Sequence, residues 1–236
     1  ITAAVKLTGK TSNGFSVGII EAVTNKEEAE IDIAGTRSKV TTEPLTNYFA
    51  GRLQKDYRQG DTRLGFMFTS VNRNIDESHL NFLNKSAYSG GFDFVNNWAN
   101  KTYFVSLLSV FSSISGDKEA ILRAQRASAR YYQRPDADHL DLDPDATSLS
   151  GHGGTFNLGK AGTGHLKYGI LSTWRSPGLE LNDIGFLREA DYLSNTLNFE
   201  YWEYNPISFL RNFNMRLKQH HVWDFDMVDV YKGGDI

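Results

Sequence analysis

Apolar and polar residues alternate one by one through several stretches roughly ten residues long, the length of a barrel strand. In Arg63-Leu64-Gly65-Phe66-Met67-Phe68-Thr69, the residues Leu64, Phe66 and Phe68 share one side. Arg63, Gly65 and Thr69 share the other, with Met67 the exception. Leu193, Leu197, Phe199 and Tyr201 alternate with Ser194, Thr196, Asn198 and Glu200. Phe213, Met215 and Leu217 alternate with Asn212, Asn214, Arg216 and Lys218. Successive side chains of a strand point to opposite faces, so each stretch predicts a strand with one greasy and one wet side. A soluble sandwich turns the greasy side inward, whereas an outer-membrane barrel turns it outward to lipid.

The pattern predicts about ten strands, bounded by turn signals. The first hairpin joins Ala3–Lys10 to Phe15–Val23 through Asn13-Gly14, a strong hairpin signal. A polar loop rich in Glu and Lys follows. Later strands are read at Leu45–Tyr57, Thr62–Val71, Gly90–Asn97, Thr102–Ser113, Thr155–Lys160, His165–Trp174, Asp191–Tyr204 and Leu210–Val222. Asp117–Ala127 reads as a helix with Asp117 as its cap and Ile121, Leu122 and Ala124 as its apolar stripe. A helical turn is expected within Asn72–Ser89. Tight turns at 11–14, 58–61, 98–101, 161–164 and 205–208 alternate with long connections at 24–43, 72–89, 116–148 and 175–190. Short turns at one end and long loops at the other are the habit of a transmembrane barrel. The tail Tyr231–Ile236 does not read as a closing strand, so the chain is expected to stop short of the native end, and its start at Ile1 reads as processed or as a fragment.

Composition narrows the picture. No stretch approaches the roughly 20 apolar residues of a membrane helix. A net charge of −3 in 236 residues gives no bias toward nucleic acid. Aromatic content of 13% is high and suits strands and interfacial girdles. The absence of cysteine excludes disulfides and thiolate metal sites. The tryptophans Trp98, Trp174, Trp202 and Trp223 recur near strand ends, which favours a girdle over sugar stacking.

Four stretches carry a resemblance. They are Glu43–Phe49 (EPLTNYF), Gln133–His139 (QRPDADH), Thr147–Gly151 (TSLSG) and the long Trp174–Arg188 (WRSPGLELNDIGFLR). With these, the chain resembles the barrel domain of uncharacterised function that follows a family-9-like carbohydrate-binding domain in outer-membrane proteins of Gram-negative bacteria. The resemblance implies an outer-membrane location, a large barrel continuing past residue 236 and, indirectly, a sugar-related role. It carries no catalytic residue.

Candidate chemistry lies in two loops. Asp136, Asp138, Asp141 and Asp143, with Asp145 and His139 beside them, form the densest acidic cluster. Oxygen-rich clusters take Ca2+, but the spacing lacks the turn glycine and the closing Glu of an EF-hand. The plainer reading is a solvated loop whose aspartates form turns and caps. His139 has no histidine at zinc-ligand spacing. In the second loop, Arg175, Glu180, Asn182 and Asp183 (with Arg134 and His139 from the first) are candidate recognition residues. Two carboxylates there can hydrolyse a glycoside if they stand ~5–10 Å apart. The plainer reading has Pro177 and Gly178 shaping a turn, Asn182 or Asp183 capping a short helix, and Arg175 pairing with a loop carboxylate. Such a loop can also fold back to line the lumen. His220 and His221 face opposite ways on a strand, and Gly151, Gly153 and Gly154 relieve crowding at a barrel bend.

The expectation is an all-β fold: one portion, residues 1–236, of an antiparallel transmembrane β-barrel whose long extracellular loops carry short helices. Arg52, Arg63, Lys167, Glu200, Arg216 and Lys218 are the expected lumen residues. The expected place is the bacterial outer membrane, with a recognition, transport or scaffolding role. The expected partners are the lipid bilayer, other outer-membrane or surface proteins and glycans, not nucleic acid. No catalytic residue and no cofactor are expected beyond the candidate Ca2+. Two other readings stand beside it: a surface glycan hydrolase and a soluble sugar-binding β-sandwich.

Overall fold

The computed structural model describes residues 1–235. Its strands are β1 (Ala3–Lys10), β2 (Phe15–Thr24), β3 (Glu27–Ile33), β4 (Thr36–Glu43), β5 (Leu45–Tyr57), β6 (Thr62–Asn74), β7 (Asn84–Trp98), β8 (Tyr103–Gly116), β9 (Ser148–Lys160), β10 (Leu166–Arg175), β11 (Tyr192–Glu203), β12 (Phe213–Trp223) and β13 (Asp229–Asp235). The helix α1 (Lys118–Arg126) stands between β8 and β9. Eleven strands form one antiparallel sheet in the order β1-β2-β5-β6-β7-β8-β9-β10-β11-β12-β13, and β3 and β4 pair with each other in a separate two-stranded sheet. The large sheet is a meander. It is open, with β1 and β13 as its edges among the described residues.

Two expectations about strands are corrected. The Glu- and Lys-rich loop contains the hairpin β3–β4. The tail is not irregular: β13 pairs with β12 from Asp229 to Asp235, while Ile236 lies outside the described residues. The first hairpin turns where Asn13-Gly14 indicates. Gly14 has φ +85°, and a Cβ there would sit 2.8 Å from the carbonyl oxygen of Asp56. The expected helical turn is a single 3-10 turn at Ser78–Leu80.

Register aligns the alternation across the sheet. Val17, Leu53, Phe66 and Phe92 are successive cross-strand partners, as are Ile170 and Leu197, and Phe199 and Leu217. Most of this face stays exposed: Phe66 by 61%, Leu217 by 48% and, opposite Gly90 on the same face, Phe111 by 57%. The opposite face carries the charged residues. Arg52 reaches Asp93 at 2.8 Å and Arg216 reaches Glu200 at 2.9 Å. Lys167, Glu200 and Arg216 are partners across β10, β11 and β12. All six expected lumen residues lie on this polar face by register.

The buried core sits on the polar face. Val71, Ala87 and Ile114 are neighbours across β6, β7 and β8, and Ile121 of α1 packs onto them. A second cluster joins Leu179, Leu187 and Ala190 to Val110 of β8. Both clusters are closed by the long connections at one end of the sheet. At the other end the connections are short except between β11 and β12, where residues 204–212 replace the tight turn expected at 205–208.

Candidate functional site

The two long connections fold together onto the polar face. The first begins at α1. The Asp117 side chain accepts a hydrogen bond from the Glu119 backbone N–H at 3.1 Å, which satisfies an otherwise orphaned donor and fixes the helix start. Ala120 and Ile121 then point at the sheet. Gln125, also buried, donates to the Asp143 carbonyl and accepts from the Asp143 N–H, each at 2.8 Å. This reciprocal pair binds the end of the aspartate-rich segment to the helix.

Beyond the helix, Arg130 has a side chain with no exposed surface. A buried guanidinium needs partners for its donors, and here each of the three nitrogens has at least one. It donates to the carbonyls of Ala124 (2.8 Å), Pro177 (3.2 Å) and Leu179, and to the Glu180 carboxylate at 2.8 Å. Ala124 lies in the last turn of α1, where the helix dipole favours a cation. One side chain thus fastens the helix to the second long connection, a strap formed by residues 176–190.

The strap crosses the sheet. Gly178 lies on β9 so closely that a Cβ would fall 2.2 Å from the Ser150 carbonyl oxygen, and a Cβ on Gly151 would fall 2.1 Å from the Leu179 nitrogen. Two missing side chains let backbone rest on backbone. The Glu180 N–H donates to Ser112 Oγ of β8 at 2.9 Å. Asp183 then accepts from Arg73 of β6 at 2.6 Å and from Asn84 of β7 at 2.8 Å. From β10 to β6 is four strand steps, roughly 19 Å. Within the strap, Glu180 Oε1 accepts from Asn182 N–H and Asn182 Oδ1 accepts from Leu187 N–H. No helix forms there among the described residues, so the expected cap role for Asn182 or Asp183 is replaced by these turns and by the bond to Arg73.

A buried carboxylate closes the assembly. Asp191, with a fully buried side chain and φ +53°, accepts from Arg134, from His139 Nε2 at 3.0 Å and from the Phe225 N–H at 3.0 Å. It joins the first connection, the strap and the turn between β12 and β13. Burial pushes the nearby Tyr132 phenol above its ordinary value, with Asp191 acting in the same direction.

The expected residues distribute as follows. Arg134 and His139 do meet, on Asp191. Glu180 and Asp183 each hold a guanidinium, of Arg130 and Arg73 respectively. Arg175 stacks on the Tyr192 ring at 4.8 Å and lies 3.9 Å from the Glu189 carboxylate, the loop pairing expected for it. Asp136, Asp138, Asp141 and Asp143 are exposed. Among the described residues, the group whose ligand atoms lie within 4.8 Å of one another is instead His139, Asp191 and Asp224. Its donor set fits a divalent ion poorly. Arg134 already sits on Asp191 with a positive charge, and both Asp191 oxygens accept protein donors. His220 and His221 face opposite ways, toward Thr196 and Asp229.

Arg130, Asp191, Gln125 and Arg73 were not singled out from sequence. Arg130 stands in a short Ala-Ser-Ala-Arg-Tyr-Tyr run with no periodicity, and Arg73 falls past the read end of its strand. A single charged residue between small and aromatic neighbours was the signal available for Arg130. A second docking point lies apart from the assembly. The hairpin β3–β4 is tied to the connection after β6 by Lys26 donating to Glu77 at 2.7 Å, by Thr41 donating to Glu77 and by His79 against the Thr41 carbonyl. The Lys26 ammonium holds the Glu77 carboxyl below its ordinary value, with Thr41 adding to it, and Glu77 in turn raises Lys26.

No curated protein matches the chain. A family model described as "Domain of unknown function (DUF5916)" matches residues 1–233, and the chain therefore belongs to that family.

Proposed function

We propose that this chain is part of the wall of an outer-membrane β-barrel, with α1 and the strap packed against its inner, polar face. The observation that carries the reading is the apolar face. It extends from Leu7 and Ile19 through Phe66 and Phe111 to Phe199 and Leu217, all more than a third exposed. Monomeric soluble proteins rarely expose contiguous apolar patches beyond a few hundred Å². A bilayer is a solvent that suits such a face, and the charged face then looks on an enclosed aqueous space.

Three further features support it. The strands β5 to β12 run 10 to 15 residues, enough for the ~9–11 residues that cross hydrocarbon at a tilt. Trp98 and Tyr103 stack at 5.7 Å at the short-turn end, where an interfacial girdle belongs. The longest connections, 117–147 and 176–191, stand at the opposite end. Its role on this reading is recognition or transport at the cell surface, because the long connections are locked into a defined shape over the polar face.

The glycan-hydrolase reading has less support. Glu180 and Asp183 are both held in ion pairs with arginines and both are largely buried, which suits positioning of the strap. A soluble sandwich needs a second layer over the apolar face. Density-gradient flotation with phosphatidylcholine vesicles tests the proposal. The protein should float with the lipid and resist alkaline carbonate. A monodisperse monomer in detergent-free buffer that stays at the bottom of the gradient rejects it.

A further inference from the structure

A cavity of about 600 Å³ lies between the strap and the sheet, within the size range of small-molecule sites. Register builds its floor from two adjoining rows of polar-face residues. Leu108, Thr155 and Thr173 form one, and in the next Val110 and Arg175 flank Gly153, with Tyr192 beyond Arg175. The strap supplies the opposite wall through Leu181 and Leu187, with Phe186 and Arg188 at the rim.

The polar groups here are under-used. Arg188 is exposed and enters no ion pair among the described residues. Arg175 touches Glu189 only loosely, at 3.9 Å to the carboxylate and 3.4 Å to the carbonyl, well beyond the ~2.7–2.9 Å of a strong charge-assisted bond. The Thr155 and Thr173 hydroxyls, side by side across β9 and β10, make no side-chain hydrogen bond among the described residues. The lining therefore combines apolar walls, two free hydroxyls and an excess of positive charge, since Arg175 and Arg188 face the single carboxylate of Glu189.

We infer that this cavity binds a small organic anion with an apolar body, such as an aromatic carboxylate. The ring would fill the space between Leu108, Val110 and Leu187, with Phe186 as a flap. The carboxylate would take the spare N–H groups of Arg188 and Arg175, and the threonine hydroxyls would donate to its remaining lone pairs. A neutral sugar would leave the excess positive charge uncompensated, and a cation would be repelled. The inference depends on the strap and the polar face, not on what covers the apolar face.

The test is isothermal titration calorimetry of the protein in a non-ionic detergent, with three probes sharing one ring: indole-3-acetate, its methyl ester and tryptamine. Indole-3-acetate should bind saturably, and the ester and tryptamine at least ~10-fold more weakly, the effect of one lost charge-assisted bond. Arg188→Gln, an exposed position whose change leaves the fold intact, should weaken indole-3-acetate ~10-fold. Lys218→Gln, a charge on the same face but on β12 and outside the cavity, should leave binding unchanged. No saturable heat up to ~10 mM indole-3-acetate, a concentration that would fill a site of millimolar affinity, overturns the inference. So does equal binding of tryptamine, or an equal loss in both variants.

Discussion

The two faces of the large sheet are built from alternate residues of the same strands, yet they end in opposite states. Phe66 and Val71 are both on β6. Phe66 is 61% exposed and Val71 is fully buried. On the polar face, a few apolar residues near one end of the strands are buried by chain that returns over them. On the apolar face, rows of larger side chains are covered by nothing among the described residues. The hydrophobic effect drives burial of apolar area wherever water is the alternative. On the proposed reading, a fold that buries Val71 and Ile114 while leaving Phe66, Phe111 and Leu217 bare is matched to two different solvents. The contrast also separates two kinds of cohesion. The apolar face relies on its surroundings, whereas the polar face carries its own stapling in Arg130, Asp183 and Asp191.

The largest effect should come from breaking the staple. Arg130→Ala leaves the buried Glu180 carboxylate without its cation and takes one donor from each of three carbonyls, a loss of ~3–5 kcal/mol. Because α1 and the strap are linked to the sheet mainly on the polar face, the expected result is release of both, read as rapid hydrogen exchange across residues 118–147 and 176–190. The strands themselves should remain protected. Unchanged exchange in the strap would mean that the strap docks through its own sheet contacts alone.

A smaller effect should follow from Gly151→Ala, which drives a methyl group into the Leu179 backbone. Overpacking of this kind costs ~1–3 kcal/mol. Protease cleavage within 176–190 should accelerate while cleavage at the short turns stays constant. Equal acceleration at both ends would show that the sheet, not the strap, had loosened.

The smallest effect concerns the hairpin β3–β4, the region least attached to either face. Glu77 has its carboxyl lowered when docked, so the docked state binds fewer protons than the detached state at mildly acid pH. The contribution is complete above the ordinary glutamate value and disappears as pH falls through the lowered one. Lys26, raised when docked, gives the opposite loss as pH rises through its raised value. Amide exchange at Ile31 and Val40 should accelerate at both extremes, and Glu77→Gln should remove the acid-side dependence.

Much of the sheet was legible because period two is a local signal. Leu64, Phe66 and Phe68 declare a face without reference to any other strand, and the register then aligns it with Leu53 and Phe92. Asp117 and Ile121 declared the helix in the same way. The hairpin β3–β4 was missed because glutamates dominate it and suit strands poorly. The strand β13 was missed because its two glycines and flanking charges leave little alternation; an edge strand needs none. The loop assembly was only partly legible. Candidate residues Arg134, His139, Glu180 and Asp183 all fall within it, but their partners Asp191, Arg130 and Arg73 are 50 to 110 residues away. Pairings at that separation are set by how the sheet brings its loops together, and no local pattern encodes them.

The central claim is that the exposed apolar face meets hydrocarbon. The chain has no cysteine, so nitroxide labels can be placed singly at will. A label scan through positions 63–69 and 213–218 in lipid vesicles, read by collision with oxygen and with a water-soluble nickel chelate, follows the claim residue by residue. Oxygen should dominate at 64, 66, 68, 215 and 217 and nickel at 63, 65, 216 and 218, giving a period of two. Nickel access at 66 and 217 equal to that at 216 would contradict the account.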